Sequence, residues 1–303
     1  MNETAGEPRG KVITVVLNFN QCALTRDMLE SLREGRGADN HVLLIDNASS
    51  DGSAENLRRE FPEVEVIEPG ENLGCSGGRN HGARAAVERG ANYIFFCDND
   101  AFVAEDCISR LRAHLDANPQ VGIVGARVMA HPDREAIVSL GTAVDWDRCR
   151  YRSNQEEPGE IPEDGLLDSA WVAGTAWMVR AALFGEMGYI DDRYFIYFEN
   201  TDFSFRIRSR GLRVVVAPDA VVWHRERSSL GPASPRSAYY YTRNRILFFT
   251  TYSPRPLFSG WFLATRALAW AARLAVQGEW RLMGAVLSGL GDAALGRWGR
   301  RYM

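Results

Sequence analysis

Short apolar runs alternate with helical segments over roughly the first 120 residues, and this alternation restricts the possible folds more than any other feature. The helical segment QCALTRDMLESLRE places Leu24, Met28 and Leu32 on one stripe. Strands joined through helices favour a parallel sheet that is covered on both faces. The sequence therefore predicts an α/β fold, with strands in KVITVVLNFN, HVLLIDNASSDGS, EVEVIEP and YIFFCDND.

The remainder of the chain is less regular. Residues 121–180 contain short strands, turns and a polar stretch, YRSNQEEPGEIPEDG, which is typical of a surface loop. RYFIYFENTDFSFRIRSRG runs into a helix that Gly211 should end. RVVVAPDAVVWH predicts two short strands around a turn at Pro218 and Asp219. From about residue 226 onward the pattern is helical.

Composition excludes several classes of protein. The net charge is −4, which argues against general nucleic-acid binding, and the hydrophobic fraction of 46% is ordinary for a globular protein. The five cysteines form no C-x-x-C pair, so neither a zinc site nor a redox motif is indicated, and we expect a cytoplasmic protein. The segment MNETAGEPRG lacks the apolar core of a signal peptide, and no run is long enough to predict a transmembrane helix.

Polar residues stand where the predicted strands end. They are Asn18 and Asn20, Asp46, the glycine turn at 74–78, and the Asp98-Asn99-Asp100 triplet. The carboxyl ends of parallel strands form one rim, where ligands bind. Two carboxylates separated by one residue suit Mg²⁺ or Mn²⁺, although turns rich in Asp and Asn are also common. The sequence thus predicts a metal and anion site at this rim.

The chain resembles the inverting family-2 glycosyltransferases with the GT-A fold, and in particular their rhamnosyltransferase-like branch. The resemblance covers roughly residues 11–225 and rests on an ordered set of motifs. These are VVLNFN, LLIDNASSDGS, NLGCSGGRNHG, FFCDND, AGTAWMVR, GYIDDRYFIYFENTDFSFR and APDAVVWH. It implies a GT-A catalytic domain at 1–225, with a nucleotide-sugar half at 11–120 and an acceptor half at 121–225, followed by a helical extension at 226–303.

The resemblance also implies ligands. Phe19 and Asp46 would hold the base of the nucleotide, and Asp98 would reach the ribose. A divalent cation, Mg²⁺ or Mn²⁺, would be held by Asp100 and Asp98, with His224 as a further ligand or as a structural histidine. Asp46 could instead cap a turn, and Gly77-Gly78 could simply form a tight one. The full set implied for the nucleotide sugar is Phe19, Asp46, Asp51, Gly74, Arg79, Asp98 and Asn99.

The acceptor side is implied by YFENTDFSFR. Many relatives carry Glu-Asp-x-Asp here, with the base after the Glu, but this chain has Asn200 at that position. The base is then Glu199 or Asp202, and we favour Glu199 because Asn200 and Asp202 could serve as the cap and first-turn acid of a helix. The residues implied for the acceptor side are Trp171, Gly174, Thr175 and Asn200; Trp171 could equally belong to the core.

The segment 254–303 is basic and rich in tryptophan. It carries seven arginines against Glu279 and Asp292, a net charge of +5. One helical stripe holds Leu263, Ala267, Trp270 and Leu274. A basic amphipathic helix with Trp suits the inner surface of an anionic membrane, whereas the same stripe could pack on the catalytic domain or on a second subunit as a homodimer.

The resemblance, together with the predicted metal and anion site, implies a metal-dependent inverting glycosyltransferase. It would move a sugar, which the resemblance suggests is rhamnose, from a nucleoside diphosphate sugar to a hydroxyl of a saccharide or lipid-linked acceptor, in the synthesis of a surface polysaccharide or other glycan. Two alternatives stay open. A nucleotidyltransferase shares the sheet and the carboxylate pair, and an inactive glycan-binding scaffold would explain Asn200.

Overall fold

The computed structural model describes residues 10–34, 40–156, 158, 160–225 and 234–301. The strands are β1 (Val12–Asn18), β2 (Asn40–Asp46), β3 (Glu65–Ile67), β4 (Tyr93–Asp98), β5 (Ala101–Val103), β6 (Val121–His131), β7 (Ile137–Ser139), β8 (Thr142–Asp145), β9 (Arg150–Ser153), β10 (Leu167–Asp168), β11 (Ala176–Arg180) and β12 (Arg213–Arg225). The helices are α1 (Cys22–Glu34), α2 (Ser53–Glu60), α3 (Gly74–Glu88), α4 (Cys107–Ala117), α5 (Ala182–Met187), α6 (Glu199–Ser209), α7 (Pro235–Tyr252), α8 (Pro256–Val276) and α9 (Trp280–Ala294).

One large sheet organises the chain, in the order β10-β12-β6-β11-β4-β1-β2-β3. Strands β4, β1, β2 and β3 run parallel, as do β6 and β12, while β11 lies antiparallel between β4 and β6. Strands β5 and β7 pair with β12 and β6, and β8 and β9 form a separate hairpin. The predicted α/β class with a mostly parallel central sheet is confirmed.

Both faces of the sheet are covered, which explains why its central strands read as continuous apolar runs. In β1, Val12 and Val16 join the core cluster on one face, which also contains Leu29 of α1. Ile13 belongs to the cluster on the other face, together with Phe203 of α6. The sheet is therefore the middle layer of three, and its carboxyl edge is left open for a site.

Two local predictions were wrong. The expected turn at Pro218 and Asp219 does not separate two strands, because β12 is continuous and accommodates these residues as a bulge where its register with β6 shifts between Ala217 and Val221. Asn200 does not cap a helix, because α6 already begins at Glu199 after an N-cap at Phe198. The predicted helix end at Gly211 is confirmed by its left-handed φ of 79° directly after the C-cap.

The three C-terminal helices pack on one another and on the segment that precedes α6. The predicted stripe of α8 faces inward, because Leu263, Ala267 and Leu274 are buried and Trp270 packs beside them. This outcome favours structural packing for that stripe. The predicted helical character between residues 226 and 233 lies outside the described residues. No helix in the described ranges is both long and apolar enough to cross a bilayer.

Candidate functional site

The polar strand ends meet at the carboxyl edge of the sheet, as the sequence predicted. Asn18 at the end of β1 lies opposite Asp46 at the end of β2, and Leu17 lies opposite Asp98 at the end of β4. The Asn18 amide donates to the Asp46 carboxylate at 2.7 Å. Two adjacent strands are thereby tied together where the candidate site begins.

Asp98, Asp100 and His224 form a cluster that could hold a metal ion. One potential ligand atom from each of the three lies within 4.8 Å of the others. His224 reaches the cluster because β5 pairs with β12 directly after the Asp triplet, with His224 opposite Ala101. The imidazole Nε2 lies 3.0 Å from Asp100 Oδ1. Two carboxylates and an imidazole are donors that Mn²⁺ or Mg²⁺ accepts, so these residues fit the predicted cation.

Arg79 joins the aspartate cluster to the acceptor side. From α3 it donates to Asp98 Oδ1 at 2.9 Å, to Glu199 Oε1 at 2.6 Å and to the carbonyl of Gly174 at 3.0 Å. Burial alone would lower its pKa, but the charges of Asp98 and Glu199 raise it, so the guanidinium stays positive. Burial raises the pKa of Asp98, and Arg79 opposes that shift. A positive charge is thus fixed between the two carboxylates.

A pocket of about 300 Å³ opens beside this network. Phe19, Gly74, Arg79, Asp98 and Asn99 line it, so five of the seven residues predicted for the nucleotide sugar share one cavity. Phe19 is 39% exposed, so part of its ring is accessible for stacking. Other lining residues include Cys75, residues 195–197 and Arg236, and the sequence did not anticipate the contribution of residues 195–197 and Arg236. Burial raises the pKa of Cys75 to about 12, so its thiol is not a nucleophile at neutral pH.

The loop at 193–198 forms that wall and is conformationally strained. Phe195, Tyr197 and Phe198 have φ values of 62°, 66° and 71°, in the left-handed region that aromatic residues rarely adopt. The Phe195 carbonyl accepts a hydrogen bond from the Ser76 amide at 3.2 Å. A Cβ on Gly74 would lie 2.4 Å from that carbonyl, and Gly74 itself has a φ of 71°, so glycine is required there.

Arg243 and Asn244 of α7, here termed the carbonyl clamp, hold the 193–198 loop. Both side chains are buried, and their N–H groups make six hydrogen bonds to backbone carbonyls. Asn244 donates at 2.7, 2.7 and 3.1 Å; Arg243 donates at 2.7, 2.9 and 3.2 Å. The carbonyls belong to Arg193, Tyr194, Ile196, Tyr197 and Gly299. Since strained backbone persists only where its surroundings over-determine it, the clamp accounts for the shape of the wall and the start of α6.

Glu199 and Asp202 have different surroundings. Glu199 uses only Oε1 for Arg79, and its buried Oε2 has no hydrogen-bond partner among the described residues. Asp202 is held by the Tyr252 hydroxyl at 2.7 Å, the Tyr194 hydroxyl at 3.4 Å and Arg206 Nε at 3.0 Å. Burial raises the pKa of Asp202, against the hydrogen bond from Tyr252 and the charge of Arg206. Asp202 thus ties α6 to α7, whereas Glu199 keeps an uncommitted oxygen.

Two predicted nucleotide ligands do not line the pocket. Asp46 is buried and uses its carboxylate for Asn18 and for the Ser49 amide at 2.7 Å, so it shapes the turn after β2. Asp51 accepts the Ser53 amide at 3.0 Å and lies at the start of α2. Burial opposes ionisation of Asp51, but the hydrogen bonds from Ser53 lower its pKa.

None of the four predicted acceptor residues, all of them in the described ranges, lines this pocket. The Thr175 carbonyl accepts the Asp98 amide at 2.8 Å, and the Asn200 side-chain amide donates to the Val172 carbonyl at 2.6 Å. Trp171 is only 5% exposed and packs edge-on against Tyr151 at 4.7 Å between ring centroids, as the core alternative expected. Of this group, Gly174 contacts the charged network directly.

Two family models match this chain. The model for glycosyl transferase family 2 matches residues 13–166, and the model for glycosyl transferase family group 2 matches residues 93–294. Among curated proteins, the chain is 26% identical over 258 residues to N-acetylglucosaminyl-diphospho-decaprenol L-rhamnosyltransferase of Mycobacterium tuberculosis, covering 77% of this chain and 79% of that protein. It is 25% identical over 217 residues to dTDP-rhamnosyl transferase RfbF of Shigella flexneri, covering 68% and 70%.

Solved structures share the fold at low sequence identity. GalNAc-T7, solved with UDP, GalNAc and Mn²⁺, aligns with a TM-score of 0.62 and 18% identity over 78% of this chain, which spans 48% of the GalNAc-T7 chain. The mannosyltransferase PcManGT of Pyrobaculum calidifontis, solved with GDP-Man and Mn²⁺, aligns with a TM-score of 0.58 and 16% identity, covering 96% of this chain and 88% of that one.

Proposed function

The chain belongs to glycosyl transferase family 2, and from that premise we propose that it is a metal-dependent, inverting transferase acting on a hydroxyl acceptor. It is a glycosyltransferase that uses a nucleotide sugar and has rhamnosyltransferase-like relatives. One arrangement supports the metal-dependent, inverting mechanism. Asp98, Asp100 and His224 cluster beside a pocket, and Arg79 in the wall of that pocket donates hydrogen bonds to both Asp98 and Glu199.

In this proposal Asp98, Asp100 and His224 hold the cation. When bound, a divalent cation neutralises the charge that develops on a departing nucleoside diphosphate. Phe19, which lines the pocket, would stack on the base, and Gly74 leaves room for the Phe195 carbonyl in the pocket wall. The positive Arg79 keeps Asp98 and Glu199 at a fixed separation before either substrate binds.

Glu199 is the proposed general base. Its free Oε2 would take the proton of the acceptor hydroxyl while that oxygen forms a bond to the anomeric carbon of the donor sugar. The bond from this carbon to the diphosphate breaks at the same time, and the diphosphate leaves with the electron pair, which inverts the anomeric configuration. Asp202 is the weaker candidate, because its carboxylate is committed to Tyr252 and Arg206. Correct placement of a base contributes about 10²–10⁴ in rate.

The donor and acceptor classes follow from the relatives. Both curated relatives named above are rhamnosyltransferases, and one has a diphospho-decaprenol substrate in its name. We therefore propose a deoxyhexose such as rhamnose on a nucleoside diphosphate as donor, and a saccharide on a lipid diphosphate as acceptor. The product would be a growing surface polysaccharide or glycoconjugate, made at the cytoplasmic face of a membrane.

Calorimetry of nucleoside diphosphate binding with and without Mn²⁺ tests the metal site. Wild-type protein should bind more tightly with Mn²⁺, and Asp100→Asn should lose that gain. Asp168→Asn is the matched control, because Asp168 is exposed on β10 and pairs only with Arg213 among the described residues. Equal affinity with and without Mn²⁺ in the wild type would contradict the proposal.

An inactive glycan-binding scaffold is the second candidate, favoured by the amide of Asn200 where many relatives carry the base. Slow hydrolysis of a sugar nucleotide by the purified protein would rule the scaffold out. Binding of the nucleotide without hydrolysis or transfer, under any acceptor tried, would favour it. Family membership removes the support for a nucleotidyltransferase.

A further inference from the structure

The exposed large hydrophobic side chains of the described residues are concentrated in one segment of the chain. Eight of their eleven exposed large hydrophobic side chains lie between residues 257 and 295, on α8, α9 and the residues that bound these helices. Leu257 and Val276 are 90% and 91% exposed, and Trp261 and Trp280 are 64% and 63% exposed. Scattered apolar residues need no explanation, but a concentration of this kind marks a contact surface.

Helix α8 carries two apolar faces. The inner face contains the stripe that the sequence predicted, and it is already covered by α7 and α9. The outer stripe, defined here as six exposed positions spaced by three or four residues, follows the helical repeat along the whole of α8. It consists of Leu257, Trp261, Thr265, Leu268, Ala272 and Val276. Because the inner face is already covered, the apolar residues of the outer stripe call for a second apolar environment.

The charges on α8 indicate which apolar environment would suit the outer stripe. Arg266 and Arg273 are exposed, seven residues apart, on one flank of the outer stripe, and α8 contains no acidic residue. A second copy of this helix would bring arginines without acidic partners, whereas anionic headgroups would complement them. Arginine can keep its charge at headgroup level while its stem and a neighbouring Trp contact the acyl boundary.

We propose that the outer stripe of α8 is a membrane-docking surface that lies in the plane of an anionic phospholipid bilayer, with Arg266 and Arg273 at headgroup level. The inference deepens the proposed function, since an enzyme with a lipid-linked acceptor must meet its substrate at such a surface. It stands on the exposure and charge of α8 and not on the donor site. The sequence left open whether the stripe with Leu263, Ala267 and Leu274 meets a membrane or packs internally; these three residues are buried, so the proposed docking surface lies on a different face of α8.

Co-flotation of the full chain with vesicles tests the proposal. We expect binding to phosphatidylglycerol-containing vesicles and little binding to pure phosphatidylcholine. The double variant Trp261→Glu/Leu268→Glu should lower the vesicle partition coefficient at least tenfold. The control Val87→Glu/Ile161→Glu adds the same charge at two exposed apolar positions elsewhere, 39% and 49% exposed, and should bind like the wild type.

Two further measurements separate the outcomes. Arg266→Gln/Arg273→Gln should weaken binding to anionic vesicles and flatten its dependence on salt. Metal-dependent nucleotide binding should be unchanged in every vesicle variant, so that a failed donor site and a failed docking surface are distinguishable. Equal vesicle binding by wild type and Trp261→Glu/Leu268→Glu would overturn the proposal. So would a wild-type dimer in lipid-free solution that this double variant dissociates, because the stripe would then bind a second copy.

Discussion

Removing the amide of Asn244 should both destabilise the protein and open the nucleotide pocket. Asn244→Ala deletes three hydrogen bonds to the carbonyls of Tyr194, Ile196 and Tyr197 at a site with no solvent exposure. Each bond contributes about 1 kcal/mol, and each buried carbonyl left without a partner costs about 1–3 kcal/mol. Allowing for carbonyls that find other partners, we expect a loss of about 2–4 kcal/mol in the free energy of unfolding.

Asn244→Ala should also weaken nucleotide binding, because the 193–198 loop forms part of the pocket wall. Three of its residues hold left-handed conformations that cost about 1–2 kcal/mol each, and the clamp offsets that strain. Asn244→Ala removes half of the hydrogen bonds of the carbonyl clamp. An unstrained conformation of the 193–198 loop then competes with the conformation that lines the pocket. A competing state favoured by about 1.4 kcal/mol weakens nucleoside diphosphate binding about tenfold.

Thermal unfolding and calorimetry measure the two effects. Asn244→Ala should lower Tm by about 4–16 °C, given about 2–4 °C per kcal/mol for a large domain. The matched control is Asn56→Ala, since the Asn56 side chain on α2 contacts only Arg59 by hydrogen bond among the described residues. If Asn244→Ala unfolds within about 1 °C of the wild type and binds nucleotide equally well, the reasoning on the clamp is refuted.

Three further predictions test other parts of the structure. Gly74→Ala should reduce the free energy of unfolding by about 2 kcal/mol or more in denaturant titration, because its Cβ would meet the Phe195 carbonyl and its φ is positive; an unchanged midpoint would show that this contact relaxes freely. Glu199→Gln should lower kcat by about 10²–10⁴ with donor affinity nearly intact, whereas Asp202→Asn should mainly lower Tm; the reverse pattern in steady-state kinetics would make Asp202 the base. The pKa of Asp292 is lowered in the fold, because burial, which raises it, is outweighed by a tyrosine hydrogen bond and an arginine charge. Its stabilising contribution is therefore complete above the ordinary carboxyl pKa and is lost on acidification, so the stability difference from Asp292→Asn should shrink as pH falls through that range; a difference that stays constant would contradict this account.

The donor side of the site was predictable because its signals are local. Each strand shows an apolar run, and the residue after it is fixed at the carboxyl edge by the parallel arrangement alone. The sequence pattern therefore suffices to place Asn18, Asp98 and Asp100 at that edge. His224 could be placed only by resemblance, because its position depends on the pairing of β12 with β5.

The remaining parts of the site, and the choice of the buried face of α8, depend on contacts between residues that are far apart in the sequence. No sequence pattern around Arg79 predicts its ion pair with Glu199, which is 120 positions away. Arg243 and Asn244 read as polar residues on an ordinary helix, since a guanidinium satisfied by backbone carbonyls leaves no pattern in its neighbours. On α8, apolar residues occupy two faces of the helix, so periodicity could not decide which of them is buried.

The carbonyl clamp also sets an order of events while the ribosome makes the chain. The 193–198 loop emerges about 50 residues ahead of Asn244, and the Gly299 carbonyl that binds Arg243 comes a further 56 positions after that arginine. At about 5–20 residues per second, several seconds pass between synthesis of the loop and synthesis of the clamp residues Arg243 and Asn244. A similar time passes before Gly299 is made. The nascent sheet can form during that delay, but its pocket acquires its final wall only when translation has passed residue 299.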